Sequence, residues 1–335
     1  MLTRADLDEA VKSGVITEQQ AVQLLGLPGK RREARHAHAQ GDERFVFMKN
    51  FNEFFIALGV VLLGVGLLAA AGTLPYFGAV FPVIFIAVMW GLAEFLTRKL
   101  KLTLPSIVLA IFIVTTLAYL LKDSLSDNNS LLIAAFSAAI SAFLFYLRFR
   151  LPFALLLLAG GCVATLFAVF TALAGEPTKL LTYALFLGAG IATLAVAQWY
   201  DMSDRERITR RADCGFWLTL IAAPLIVHPV AGLISSGQDT SVQANILTIA
   251  VVIVFALVAL IIDRRAFLVS SLAYLGGALV YAFTQLGGEQ NALWITLLLM
   301  GASVILLGVG WQRARRAVMQ FVPFSLAQHL PIVRA

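Results

Sequence analysis

The sequence is short of charge. Of its 335 residues, 13% are Asp, Glu, Lys or Arg and 60% are apolar, against about 25% charged and about 45–50% apolar in a typical soluble domain. That balance excludes a water-soluble globule. Two cysteines cannot make a disulfide framework. Cys162 falls in the middle of one apolar run and Cys214 at the basic end of another, offset by about 15 Å of depth. A disulfide needs Cα atoms within about 7 Å, so two free thiols are expected. Histidine is scarce as well, with four residues. His36 and His38 lie in the basic stretch RHAHA with no further ligand nearby, so no metal site is expected. No P-loop, HExxH, GxSxG or dinucleotide-binding glycine motif occurs. Without an acid–base or metal cluster, an intramembrane enzyme is disfavoured and no cofactor is expected. Acidic residues are absent from the predicted bilayer centre, which argues against a proton-driven pump.

What is present is a succession of long apolar runs. Ten predicted spans cover 54–72, 77–97, 103–121, 130–147, 152–174, 180–200, 212–234, 243–263, 266–286 and 291–311. Each is long enough to cross a hydrocarbon core of about 30 Å, so the fold class is an all-α polytopic membrane protein. The net charge of +6 does not indicate nucleic acid, because the basic residues sit in short loops between apolar runs. Only Lys122 and Lys179 fall on the odd-numbered loops, leaving 23 of the 25 Lys and Arg on the other side. The positive-inside rule then puts both termini in the cytoplasm. Arg98, Lys99, Lys101, Arg148, Arg150, Arg313, Arg315 and Arg316 are expected to meet lipid head groups there. Only TLPY separates the first two spans, so a tight turn with Pro75 is expected.

Residues 1–28 read as a cytoplasmic helical hairpin. Thr3 can cap the first helix and Gly14 end it, and Thr17 with Gln20 has the form of a capping box. Residues 29–53 form a basic juxtamembrane linker. No cleavable signal peptide is expected, because the first long apolar run starts near Phe54 rather than within about the first 15–30 residues. The tail 312–335, QRARRAVMQFVPFSLAQHLPIVRA, is too short and proline-broken to span, and is expected to lie in the cytoplasmic interface.

One string recurs. FTALAGE at 170–176 returns as FTQLGGE at 283–289, and with the same offset Leu180, Leu185, Gly188 and Ala189 match Leu293, Leu298, Gly301 and Ala302. Both copies end an odd-numbered span and lead into a small-residue cluster, GAG at 188–190 and GAS at 301–303. An even number of spans separates them, as in parallel repeats. The implied plan is a leading pair, 54–97, and two four-helix units, 103–200 and 212–311. A helix end is the simpler reading of FTxLxGE, with Thr171 and Thr284 as candidate ligand-contacting or pore-lining groups in the sharper one.

Span seven holds His228 in PLIVHP between Pro224 and Pro229. Each proline lacks an N–H and clashes with the carbonyl four residues back. The span is therefore expected to bend or unwind between Leu220 and Val230 and to face protein or a polar cavity. His228 with these prolines is the candidate ligand or pore site, or else it bonds a neighbouring backbone carbonyl. Asp201, Asp204 and Glu206, among Arg205, Arg207, Arg210 and Arg211, read as a solvated loop. Glu94 has Arg98 as an i,i+4 partner, and Gly59, Gly64 and Gly66 allow close helix approach.

The hairpin SGVITEQQAVQLLGL, the basic linker and the first span FNEFFIALGVVLLGVGLLAA resemble the bacterial multi-pass membrane proteins grouped as domain of unknown function 2157, over roughly residues 3–120. The first span ends in AAAGTLPY, without the Asn-Trp pair associated with that family. The resemblance implies a bacterial inner-membrane protein and supplies no catalytic residue. The expected role is a non-enzymatic scaffold or accessory subunit that binds lipid, or a protein partner through residues 1–28. The alternative is a transporter or channel for a small neutral or apolar solute.

Overall fold

In the computed structural model the described residues are 51–73, 81–124, 130–204, 209–235, 242–285 and 291–323, with Ser13, Ser325, Leu330 and Pro331. The chain divides into two compact units, one made of Met1–Phe45 with Arg334 and one made of Val46–Val333 with Ala335. In the first, Ser13 is an exposed turn residue. The expected hairpin 1–28 and most of the linker 29–53 lie outside the described residues.

In the second unit all the described regular structure is helical. In chain order the helices are α1 Phe51–Thr73, α2 Phe81–Ala93, α3 Leu104–Ser124, α4 Ser130–Phe149, α5 Phe153–Ala174, α6 Lys179–Met202, α7 Arg210–Ser235, α8 Val242–Ile262, α9 Ala266–Gln285 and α10 Ala292–Met319. With a π-helical turn, Glu94–Lys99, extending α2, these give ten helices long and apolar enough to cross a membrane. They correspond one to one with the ten predicted spans. The ends differ in places. The second begins at Phe81 rather than 77, and residues 74–80, with the expected tight turn, lie outside the described residues. The last helix runs to Met319 instead of stopping at 311, so residues 312–319 belong to α10 and not to an interfacial tail.

Two apolar cores fill the bundle. Phe85, Met89, Leu109, Phe145 and Phe153 anchor the first, among α2 to α5 with Val60 of α1. Val227, Phe255, Phe267 and Trp311 anchor the second, among α7 to α10. Leu155, Ala197, Cys214 and Leu218 join α5, α6 and α7 in a smaller third. α7 is the most buried of the spans, and α6 and α10 are the least buried. It runs as the central post, packed on α5, α6 and α9.

Small residues set how closely the helices pack. A Cβ on Gly161 of α5 would sit 2.7 Å from the backbone nitrogen of Ala139 of α4. Along the α6–α7 seam three glycines repeat the device. Gly190 lies against Leu225 and Ile226, Gly215 against Asp201, and Gly232 against the Tyr183 ring. Of the first-span glycines, Gly64 meets Phe112, while Gly59 and Gly66 have open space beside them.

The two candidate repeat units differ in packing. In 103–200 consecutive helices α3, α4 and α5 lie along one another and α5 barely touches α6, whereas in 212–311 α7 favours α9 over α8 and α10 packs on both α8 and α9. In the small-residue clusters the matched Gly188 and Gly301 both have nothing within 4 Å, while Gly190 packs tightly on α7 and its counterpart Ser303 is exposed. What the copies share is local. Thr171 donates to the Ala168 carbonyl at 2.9 Å and Thr284 to the Tyr281 carbonyl at 2.7 Å. Gly175, at φ 79°, ends α5 by donating its N–H to the Thr171 carbonyl, and Glu176 is exposed. Residues 286–290, with the counterpart of that helix end, lie outside the described residues.

Candidate functional site

Span seven does not unwind. α7 is helical from Arg210 to Ser235 with Pro224 and Pro229 inside it, which corrects the unwinding half of the expectation to bend or unwind. The segment faces two ways: Ala222, Ala223, Ile226, Val227 and Pro229 are buried, while Pro224 and His228 are exposed. His228 does not take a backbone carbonyl. Its Nδ1 hydrogen-bonds the Tyr274 hydroxyl of α9, and the Tyr183 ring of α6 stands edge-on to the imidazole with centroids 6.2 Å apart. The site is thus a His–Tyr–Tyr cluster on three helices, seated where Gly232 leaves room for Tyr183. Thr171 and Thr284 return their hydroxyls to their own helices, as threonines in helices commonly do, and do not converge on His228 in the described contacts.

The densest polar chemistry is at the other, Arg-rich end of the second core. Asp201 and Arg264 are 1% and 2% exposed. Arg264 grips the carboxylate with two nitrogens, Nε donating to Oδ2 at 3.0 Å and Nη2 to Oδ1. Nη2 also donates to the Ala212 carbonyl at 3.0 Å. This fork geometry is the strong form of a carboxylate–guanidinium pair, and it ties the end of α6 to the start of α7 and to the α8–α9 joint. Only glycine fits opposite, because a Cβ on residue 215 would lie 2.5 Å from Asp201 Oδ1. The expectation of a solvated loop is therefore corrected for Asp201 and also for Asp204, which is 8% exposed and accepts from the N–H and hydroxyl of Thr209 at 2.8 and 2.6 Å.

Arg315 is corrected likewise. It is fully buried, so it does not present itself to head groups. Its Nε donates to the Leu260 carbonyl at 3.2 Å and its Nη2 to the Pro331 carbonyl at 2.7 Å, and Nη1 lies 3.5 Å from Asp263 Oδ2. The Trp311 indole N–H donates to Asp263 Oδ1 at 2.8 Å. Arg265 stacks on the Trp311 ring, 5.1 Å from its centroid. The other residues expected to meet lipid, Arg98, Lys99, Lys101, Arg148, Arg150, Arg313 and Arg316, are exposed.

The first core ends more openly. Glu94 accepts from Arg98 at 3.1 Å and from Arg148 of α4 at 2.8 Å, and all three side chains are between 31% and 52% exposed. The π-helical turn accommodates this fork and, at Thr97, a bond to the Ser106 hydroxyl at 2.8 Å. Glu53, 2% exposed with no bond to its Oε2, lies in the first turn of α1, where the helix dipole favours a carboxylate. Cys162 and Cys214 are both free. Among the described residues no group of three or more His, Cys, Asp or Glu is placed to hold a metal.

The sequence singled out His228 but neither of its tyrosines, and it missed the Asp201–Arg264 pair altogether. The one signal was Asp201 closing span six in QWYD beside a span eight that ends in IIDRR. Pairing residues 63 positions apart is a tertiary fact that local pattern does not carry. No family model matches this chain, and no curated protein or solved structure is similar to it, so the likeness seen over residues 3–120 rests on those motifs alone.

Proposed function

We propose that this chain is a non-enzymatic scaffold or accessory subunit of the bacterial inner membrane. Both termini lie in the cytoplasm, and it engages lipid through its basic loops or a protein partner through residues 1–28. One observation carries the reading: the buried Asp201–Arg264 pair, and the buried Arg315 on the partly exposed Asp263, clamp α6 to α10 at their Arg-rich ends. Charged groups in the second core are spent on holding helices together, and the glycine seam between α6 and α7 leaves little room for sliding. A rigid bundle that offers exposed cations at one face suits a platform better than a carrier, whose halves must rock or gate about a central site.

The test compares the full chain with a variant lacking residues 1–28, each extracted from native membranes in lipid discs. A stoichiometric partner that leaves with the hairpin is the expected result. The exposed His228, between Tyr183 and Tyr274, favours the competing transporter reading. Flux of a neutral solute into proteoliposomes, abolished by His228→Ala, would replace the scaffold with it. Orientation is checked separately by Glu176→Cys in a background without Cys162 and Cys214. Labelling in whole cells by an impermeant reagent is expected, and protection would reverse the assignment of sides.

A further inference from the structure

His228 faces outward from the most buried helix of the bundle. α6 and α9 each pack on α7 and scarcely on one another, so a strip of α7 between them is left uncovered. Pro224 and His228, one turn apart on that strip, are exposed. Tyr183 of α6 stands edge-on to the imidazole, and Tyr274 of α9 bonds its Nδ1. Gly277, one turn beyond Tyr274, is exposed, and a Cβ there would meet nothing within 4 Å. Together these residues frame a notch that opens sideways toward the bilayer.

Its depth follows from the helices. Tyr183 lies four residues after Lys179 at the start of α6, His228 seven before Ser235 at the end of α7, and Tyr274 eleven before Gln285 at the end of α9. These are about 6, 10 and 16 Å along the helix axes. Half of a hydrocarbon core is about 15 Å, so the notch lies within the leaflet away from the Arg-rich face.

Counting protons shows what the notch leaves unmet. If the Tyr274 hydroxyl donates to Nδ1, the neutral imidazole carries its proton on Nε2 and that N–H is left over. If Nδ1–H donates instead, the Tyr274 O–H is left over. In both tautomers the pair keeps one unspent donor. The Tyr183 hydroxyl adds a second, since it makes no hydrogen bond among the described residues. An unspent donor in hydrocarbon is costly, and an ionisable side chain at such depth marks a functional site by default. The missing partner is an acceptor. None of the three side chains is a cation to neutralise an acid, and Lys179 stands one turn nearer the surface. A carbonyl oxygen is neutral and has a lone pair for each donor.

We propose that the notch between α6, α7 and α9 binds the carbonyl group of a neutral membrane-soluble molecule, held by the His228–Tyr274 pair and by Tyr183. A free lipophilic ketone or quinone and the ester of a bilayer lipid share that chemistry. The site is read as binding at equilibrium, so it stands apart from the scaffold reading and from any flux.

The experiment reconstitutes the full chain in discs of diether phospholipid, which has no carbonyl, and titrates it with methyl undecyl ketone isotopically labelled at its carbonyl carbon. A saturating downfield shift of the carbonyl resonance is expected. Tridecane, of the same chain length without the oxygen, should displace the ketone about tenfold less well than unlabelled ketone does, the scale of two hydrogen bonds. In diester discs, unchanged affinity would identify a free carbonyl compound as the occupant, and a clear fall would identify the lipid ester; both support the site. His228→Phe keeps a ring without its nitrogens and should abolish the saturable shift. Gly277→Phe keeps all three polar side chains and grows into open space, so it should exclude the ketone while the melting temperature stays level. No saturable shift in the parent, equal displacement by tridecane and ketone, or unchanged binding in either variant would overturn the site.

Discussion

The two cores end in the same chemistry under opposite conditions. At the foot of the first, Glu94 sits between Arg98 and Arg148 with all three side chains largely in contact with the surroundings. At the foot of the second, Asp201 and Arg264 make a comparable fork with almost no exposure. An exposed pair gains about 0–1 kcal/mol, because solvent screens it and ordering long side chains costs entropy. A buried pair is different in kind. Its net contribution can be small, but losing one partner strands a charge out of water. Burial, not the identity of the groups, decides which fork the fold depends on.

The sharpest way to break the comparison is to remove one partner in each place. Asp201→Ala is expected to cost about 3–5 kcal/mol, read as a large fall in the thermal midpoint of the detergent-solubilised protein. Asp201→Leu combined with Arg264→Met should recover most of it, since neither charge is then stranded. Should Asp201→Ala melt no earlier than Glu94→Ala, the buried fork is not what holds the second core. A smaller effect comes from the glycine opposite. Gly215→Ala pushes a methyl against Asp201 Oδ1 and is expected to cost about 1–3 kcal/mol, the range for overpacking a tight site. Gly59→Ala meets open space and should match the parent or melt later, within about 1 kcal/mol of helix propensity.

Next comes the exposed fork itself. Glu94→Gln should cost under about 1 kcal/mol and lose even that in high salt, because screening acts on exposed charges. The smallest effect is at a joint. Arg150 has φ 52°, a left-handed conformation that costs a non-glycine residue about 1 kcal/mol or more. Arg150→Gly is thus expected to leave the midpoint level or raise it slightly. A marked fall would show that the side chain, not the backbone, matters there.

The ten helices were legible because a bilayer imposes a length and an apolarity that each run displays on its own. Gly175 was legible as a helix end for the same local reason. What failed was everything that depends on a distant partner. RARRA after Trp311 reads as an interfacial tail, yet α10 continues through it because Arg315 finds the carbonyls of Leu260 and Pro331 inside. Asp201 reads as a loop acid until Arg264 arrives from the α8–α9 joint. The two prolines of α7 each predict a break when taken singly, but the helix persists through both, packed against its neighbours on the face that holds Pro229. Of the candidate site, His228 was visible as an unusual residue, whereas Tyr183, near the start of α6, and Tyr274, near the middle of α9, carried no mark distinguishing them from other tyrosines within spans.

The joints at the Arg-rich face bear on how such a bundle is assembled. Lys101, Arg150 and Asp263 all take positive φ, and the last two stand in links of only three residues, α4 to α5 and α8 to α9. Arg150 donates its N–H to the Tyr146 carbonyl at 2.8 Å and Arg264 to the Ala259 carbonyl at 2.9 Å, so each reversal is closed by the backbone of the helix it leaves. Two antiparallel helices joined this tightly form a hairpin, and each such pair would enter the bilayer as one inserting unit. The Asp201–Arg264 fork is then a contact between such units and not within one, since it joins the α8–α9 hairpin to the end of α6 and, through the Ala212 carbonyl, to the start of α7.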